Sequence, residues 1–175
     1  MTDTSTKSLI ARWSRVGVQF NVTPSRQADV DVERLLIETT RACPANARLF
    51  IAAVTWLSVY GIYVAAHRLK RLALDERDAG GQAVLGVVID TAVEHGAPKI
   101  LRQVVSASLT PATTAGPLFD VDRGALTHLV EHEATSVSKQ WGRWVQPVDV
   151  KLDALRSPQW VVQHNPGFAQ RAAHK

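Results

Sequence analysis

Residues 49–66 read LFIAAVTWLSVYGIYVAA, eighteen positions without a charge, bounded by Arg48 on one side and by His67 and Arg68 on the other. An uncharged run of that length reaches the lower limit for a membrane-crossing helix. Trp56, Tyr60 and Tyr63 lie inside the run, whereas a spanning helix carries its aromatic belt at the two ends. Gly61 also falls where a new helical periodicity begins. Two buried helices joined by a tight turn account for the same residues, so a soluble, cytoplasmic, all-α protein is expected. The helix Ala45 to Tyr60 is apolar almost all round, through Leu49, Phe50, Ile51, Val54, Trp56, Leu57 and Val59. Such a helix belongs at the centre of a bundle. Gly61 is expected to end it in a left-handed cap. The next helix, about Tyr63 to Asp75, is amphipathic. Ile62, Ala65, Ala66, Leu69, Leu72 and Ala73 make its apolar stripe, while His67, Lys70 and Arg71 point away, with Arg68 on the flank.

Upstream, Ser8 to Val18 carries Leu9, Ile10, Trp13 and Val16 at helical spacing, and Thr23-Pro24-Ser25 breaks the pattern. Asp29 or Asp31 then caps a helix running to about Ala42, which stops at Cys43-Pro44 because a proline disfavours the helical conformation of the residue before it. Downstream, Asp78 to Gly81 reads as a turn. Gln82 to Glu94 is a buried helix or, through its Val and Ile content, a strand followed by a helix. Pro98 suits the first position of a helix reaching about Leu109. Thr110 to Asp120 is the longest loop, and a helix from Asp122 to roughly Gln140 follows. The last third is irregular, with short helices at about Lys151 to Leu155 and Gln159 to His164. The expected organisation is a compact multi-helix bundle: a basic helical arm (1–22), a helical core (23–109) and a C-terminal helical region packed on it (110–175).

With 175 residues, 46% hydrophobic and 21% charged, the composition is that of a folded domain and excludes wholesale disorder, collagen-like chains and flexible linkers. Cys43 is the single cysteine, which excludes an internal disulfide and a thiolate zinc site. The N-terminal stretch is polar and lacks the apolar core of a secretory signal. The sharpest catalytic pattern is His128-Leu-Val-Glu131-His132, which resembles the inverted zinc-protease string H-x-x-E-H. Its third ligand would have to come from Asp149 or Asp153, in a segment poorly suited to a helix, so these residues read as the wet face of a helix and no metal is expected. Cys43 at a helix C-terminus lacks anything to activate it as a nucleophile. Asp90 and Glu94, four apart, are a carboxylate pair without a readable partner. Neither a phosphate-binding glycine loop nor a G-x-S-x-G elbow occurs. A non-enzymatic protein without cofactor is the expectation.

The net charge of +4 is unevenly distributed. Residues 41–74 hold Arg41, Arg48, Arg68, Lys70 and Arg71 and no acid, residues 1–26 carry a local +3, and residues 139–175 a local +4. Basic surfaces raise affinity for phosphate without reading sequence. The string Trp56-Leu57-x-x-Tyr60-Gly61-x-x-Val64-x-x-x-x-Leu69-x-x-Leu72, within residues 47–72, resembles the first two helices of winged-helix and helix-turn-helix modules. That resemblance implies a DNA-binding regulatory or accessory protein. Two departures accompany it: the following helix, where the family keeps its base-reading side chains, is the apolar Gln82–Glu94 segment, and no two-stranded wing is legible. The basic face therefore falls on His67, Arg68, Lys70 and Arg71, with Arg12, Arg15 and Arg48 as supporting phosphate contacts on double-stranded DNA. The alternative is a helical adaptor that binds a protein partner, anchored by Trp141, Arg143 and Trp144.

Overall fold

The computed structural model describes residues 3–20, 29–75, 79–119 and 126–173. The protein is all-α. Its helices are α1 (Asp3–Arg15), α2 (Val32–Ala42), α3 (Ala47–Tyr60), α4 (Ala66–Asp75), α5 (Ala79–Glu94), α6 (Lys99–Val104), α7 (Leu126–Glu133), α8 (Ser136–Gln140), α9 (Pro158–His164) and α10 (Pro166–Ala173). Two dipeptide strands, β1 (Gly116–Pro117) and β2 (Arg143–Trp144), pair in parallel. No helix among the described residues is long and apolar enough to cross a membrane.

The uncharged run divides as its aromatics indicate. α3 is central, packing on α5 and α2, while α2 also meets α1, α4 and α5. The central helix buries Leu49, Phe50, Val54, Trp56 and Leu57 almost completely. Trp13 and Trp56 meet edge to face at 5.9 Å. Both indoles keep their polar ends satisfied, Trp13 donating to Thr39 Oγ1 (2.9 Å) and Trp56 to the Val16 carbonyl (2.8 Å), which is what lets so large a group sit in a dry core. Phe168 of α10 completes the layer by stacking on Tyr63 at 5.0 Å. One continuous core thus runs from Leu9 to Phe168.

Several local expectations need correction. Gly61 is right-handed (φ −55°, ψ −20°) and heads a 3-10 turn, Gly61–Tyr63. The glycine is there for space: a Cβ would stand 2.9 Å from Pro98 Cδ and 3.3 Å from Leu101 Cδ1. Ile62, placed by spacing on the apolar stripe, is 45% exposed, because α4 begins only at Ala66 and the turn shifts the phase. Cys43 keeps helical angles (φ −54°, ψ −44°) and starts a second 3-10 turn through Ala45; Asn46 then caps α3 through its side chain. Ala79, Gly80 and Gly81 form the first turn of α5, so Gln82–Glu94 is helical throughout. The helix expected over 122–140 is divided at Ala134 and Thr135, where the Thr135 side chain caps α8; residues 120–125 lie outside the described residues, as does the Thr23-Pro24-Ser25 break. The helix from Pro98 ends at Val104 and gives way to a 3-10 turn over Ser106–Ser108, and another such turn occupies Leu152–Ala154.

Candidate functional site

The basic face expected on α4 is only partly free. Asp31 caps α2 by accepting from the Arg34 backbone N–H (3.1 Å), and its two carboxylate oxygens also take both ends of the Arg68 guanidinium. Arg68 reaches Glu33 Oε2 as well, at 2.7 Å. Glu33, wholly buried in the first turn of α2, accepts from Arg171 at 2.7 Å and from the Ala65 backbone N–H at 2.8 Å. A carboxylate taken fully from water is tolerable only when its lone pairs are satisfied by charged or strong donors. Here three donors converge on it, one of them an otherwise orphan N–H at the start of α4. Partial burial works to raise the Asp31 carboxyl, but the hydrogen bonds and charges of Arg68 and Arg34 prevail and hold it below the usual carboxylate range. The hydrogen bond from Arg68 to Asp31 raises the guanidinium in turn. Arg68 is therefore an internal cross-link between α4 and α2 before it is anything else, and Glu33 extends the network to Arg171 of α10.

His67 and Arg71 are exposed, Lys70 is half-buried, and none of the three makes a hydrogen bond or ion pair with the described residues. Arg48 is exposed on the first turn of α3. Arg12 pairs with Glu38, and Arg15 is half-buried. The helix that follows, α5, is continuously buried from Ala83 to Ala92, so that run offers no side chain to reach a base edge.

The C-terminal anchors separate into different roles. Trp141 is buried, its indole N–H donating to Asp90 Oδ2 at 2.9 Å and its ring lying on Gly86, whose missing Cβ would otherwise approach it to 2.4 Å. It seals α8 onto α5 and is not a surface anchor. Arg143 is half-buried and donates to the Thr114 carbonyl at 2.9 Å. Trp144, half-buried in β2, lines a groove. Glu131 and His132 are exposed, the His128 side chain lies outside the described residues, and among the described residues no three metal-ligating side chains come together. Cys43 is buried, and burial pushes its thiol far above the ordinary value, which removes the thiolate that nucleophilic chemistry requires.

The groove beside Trp144 encloses about 440 Å³. Its walls come from the start of α3 (Phe50, Ile51), from Phe119 just after β1, and from the extended chain after β2 (Val145, Val148); Asp149 and Lys151 mark the polar rim. Phe50 and Phe119 meet edge to face at 5.6 Å and form its floor. Sequence reading singled out Trp144 but not Phe119 or Ile51. Phe119 sits in a loop without periodicity, and Ile51 reads as one more core residue of an all-apolar helix. Glu33 carried a legible signal: it shares a helical face with the core residues Leu36 and Ile37, where an acid must find partners. No family model, curated protein or solved structure matches the chain.

Proposed function

We propose that the protein is a helical adaptor that binds a protein partner by taking its apolar side chains into the groove beside Trp144. The observation that carries this reading is the concentration of exposed apolar surface there. Ile51 is 41% exposed and lines the groove, and the exposed Leu129 (49%) and Leu152 (64%) are the chain neighbours of its lining residues Val130 and Lys151. An apolar groove with a polar rim is the kind of surface that takes a partner's side chains. The test is a photo-crosslinking amino acid placed at Leu152 in cells of the source organism. A discrete protein adduct that survives high salt and disappears on Ile51→Asp supports the groove. Absence of an adduct, or an adduct indifferent to Ile51→Asp, overturns it.

A second reading, double-stranded DNA held through its phosphates, is favoured by one observation: α4 turns His67, Lys70 and Arg71 outward with no described partner, within a stretch, 41–74, that contains no acid. Arg68 and Arg12, both ion-paired, contribute little to that surface.

A further inference from the structure

On the face formed by α5, α6 and α8 lies an open cleft of about 540 Å³, lined among others by Asp90, Glu94, Arg102, Ser106 and Trp141. That volume is in the range of small-molecule sites, roughly 300–1,000 Å³. Its cation is held in one orientation. Arg102 Nε donates to Asp90 Oδ1 at 3.1 Å, and its Nη2 donates to the Asp90 main-chain oxygen at 3.0 Å. Asp90 is itself fixed, buried on α5 and bonded to the Trp141 indole. A guanidinium has five N–H donors, so the side-on fork is engaged while the end-on edge, on a side chain 44% exposed, keeps donors for an acceptor in the cleft.

Three further features narrow the ligand. Glu94, one turn beyond Asp90 and so on the same helical face, is exposed and makes no hydrogen bond or ion pair with the described residues. The Ser106 hydroxyl is buried without a partner at the cleft wall, a condition that native structures rarely leave unexplained. Leu109, Pro111 and Val137 supply apolar walls beside the indole. A phosphate or simple carboxylate would meet Arg102 but also the Glu94 charge, and a simple amine would leave the Arg102 edge unanswered. A molecule with an ammonium and a carboxylate answers both.

We infer that this cleft binds a short zwitterionic peptide with apolar side chains: its carboxylate on the free edge of Arg102, its ammonium at Glu94, its side chains against Trp141 and Leu109, and its amide within reach of Ser106. The site is separate from the Trp144 groove and does not rest on the adaptor reading. The probe is the dipeptide Leu-Leu, titrated by calorimetry into the full chain beside its N-acetyl and C-amide forms. Leu-Leu should bind saturably, and each capped form should bind at least about tenfold more weakly. Arg102→Gln should abolish the discrimination against the amide. Glu94→Gln, at an exposed position without a partner, should leave the thermal midpoint unchanged and abolish the discrimination against the acetylated form. No heat with Leu-Leu at millimolar concentration, equal binding of either capped form, or discrimination unaffected by Glu94→Gln overturns the inference.

Discussion

Gly86 shows how much one absent methyl group decides. A glycine inside a helix normally costs roughly 0.5–1 kcal/mol relative to alanine, and α5 carries it at a buried position because the Trp141 ring rests directly on its Cα. An added Cβ at 2.4 Å from the indole leaves no accommodation except moving the ring, and the ring is tied to buried Asp90. Overpacking therefore outweighs the gain in helix propensity. Gly86→Ala should lower stability by about 1–2 kcal/mol in urea denaturation and shift the tryptophan emission. Gly167 is the sign control: nothing lies within 4 Å of its virtual Cβ, so Gly167→Ala should be neutral or stabilise by roughly 0.5 kcal/mol. A fall in stability with Gly167→Ala, or none with Gly86→Ala, would contradict this account of the α5–α8 contact.

Among the elements, α2 carries the electrostatic organisation, joining α4 through Asp31 and both α4 and α10 through Glu33. The folded state holds the Asp31 carboxyl below its ordinary value of 3.8. The unfolded chain then binds the proton first as pH falls. Asp31 thus stabilises fully above that ordinary value and ceases to do so as pH drops through the lower, folded one. Arg68, raised by the same pair, stays charged throughout. Asp31→Asn keeps a competent helix cap but removes the charge and one of the two oxygens that accept from Arg68, so it should cost about 1 kcal/mol at neutral pH. It should also flatten the loss of stability that sets in as pH falls below the ordinary carboxyl value of 3.8 in urea titrations. An unchanged acid limb would show that the pair with Arg68 contributes nothing. The elements also show where sequence reading succeeds. The start of α2 was legible because its determinants, Asp31 and the apolar run that follows, are local. Gly61 was misread because its requirement comes from Pro98, far along the chain. The division between α7 and α8 depends on Thr135 capping one helix with its side chain and donating its backbone N–H to the Val145 carbonyl. The helix α10 was missed because it is fixed by Phe168 on Tyr63 and Arg171 on Glu33, contacts without a local signature.

For the molecule as a whole, the excess of four positive charges overstates the cationic surface available to a polyanion. Arg12, Arg68, Arg102 and Arg171 are each paired with a carboxylate, which lowers the counterion release that drives phosphate binding. On α4 that leaves Lys70 and Arg71, beside the exposed His67. Each neutralised phosphate adds about −0.9 to the slope of log affinity against log salt. A random 30-base-pair duplex followed by fluorescence polarisation should therefore give a slope no steeper than about −3, with affinity in the range of non-specific binding, about 10⁻⁴–10⁻⁶ M at physiological salt. Charge reversal at Lys70 and Arg71 should remove nearly all of that binding while leaving the groove beside Trp144 intact, since neither residue lines it. A slope much steeper than −3 would require cations elsewhere, and binding unaffected by the double reversal would remove α4 from the interface. Loss of duplex binding without loss of the Leu152 crosslink would separate the two surfaces, making the apolar groove and the cationic helix independent properties of one fold.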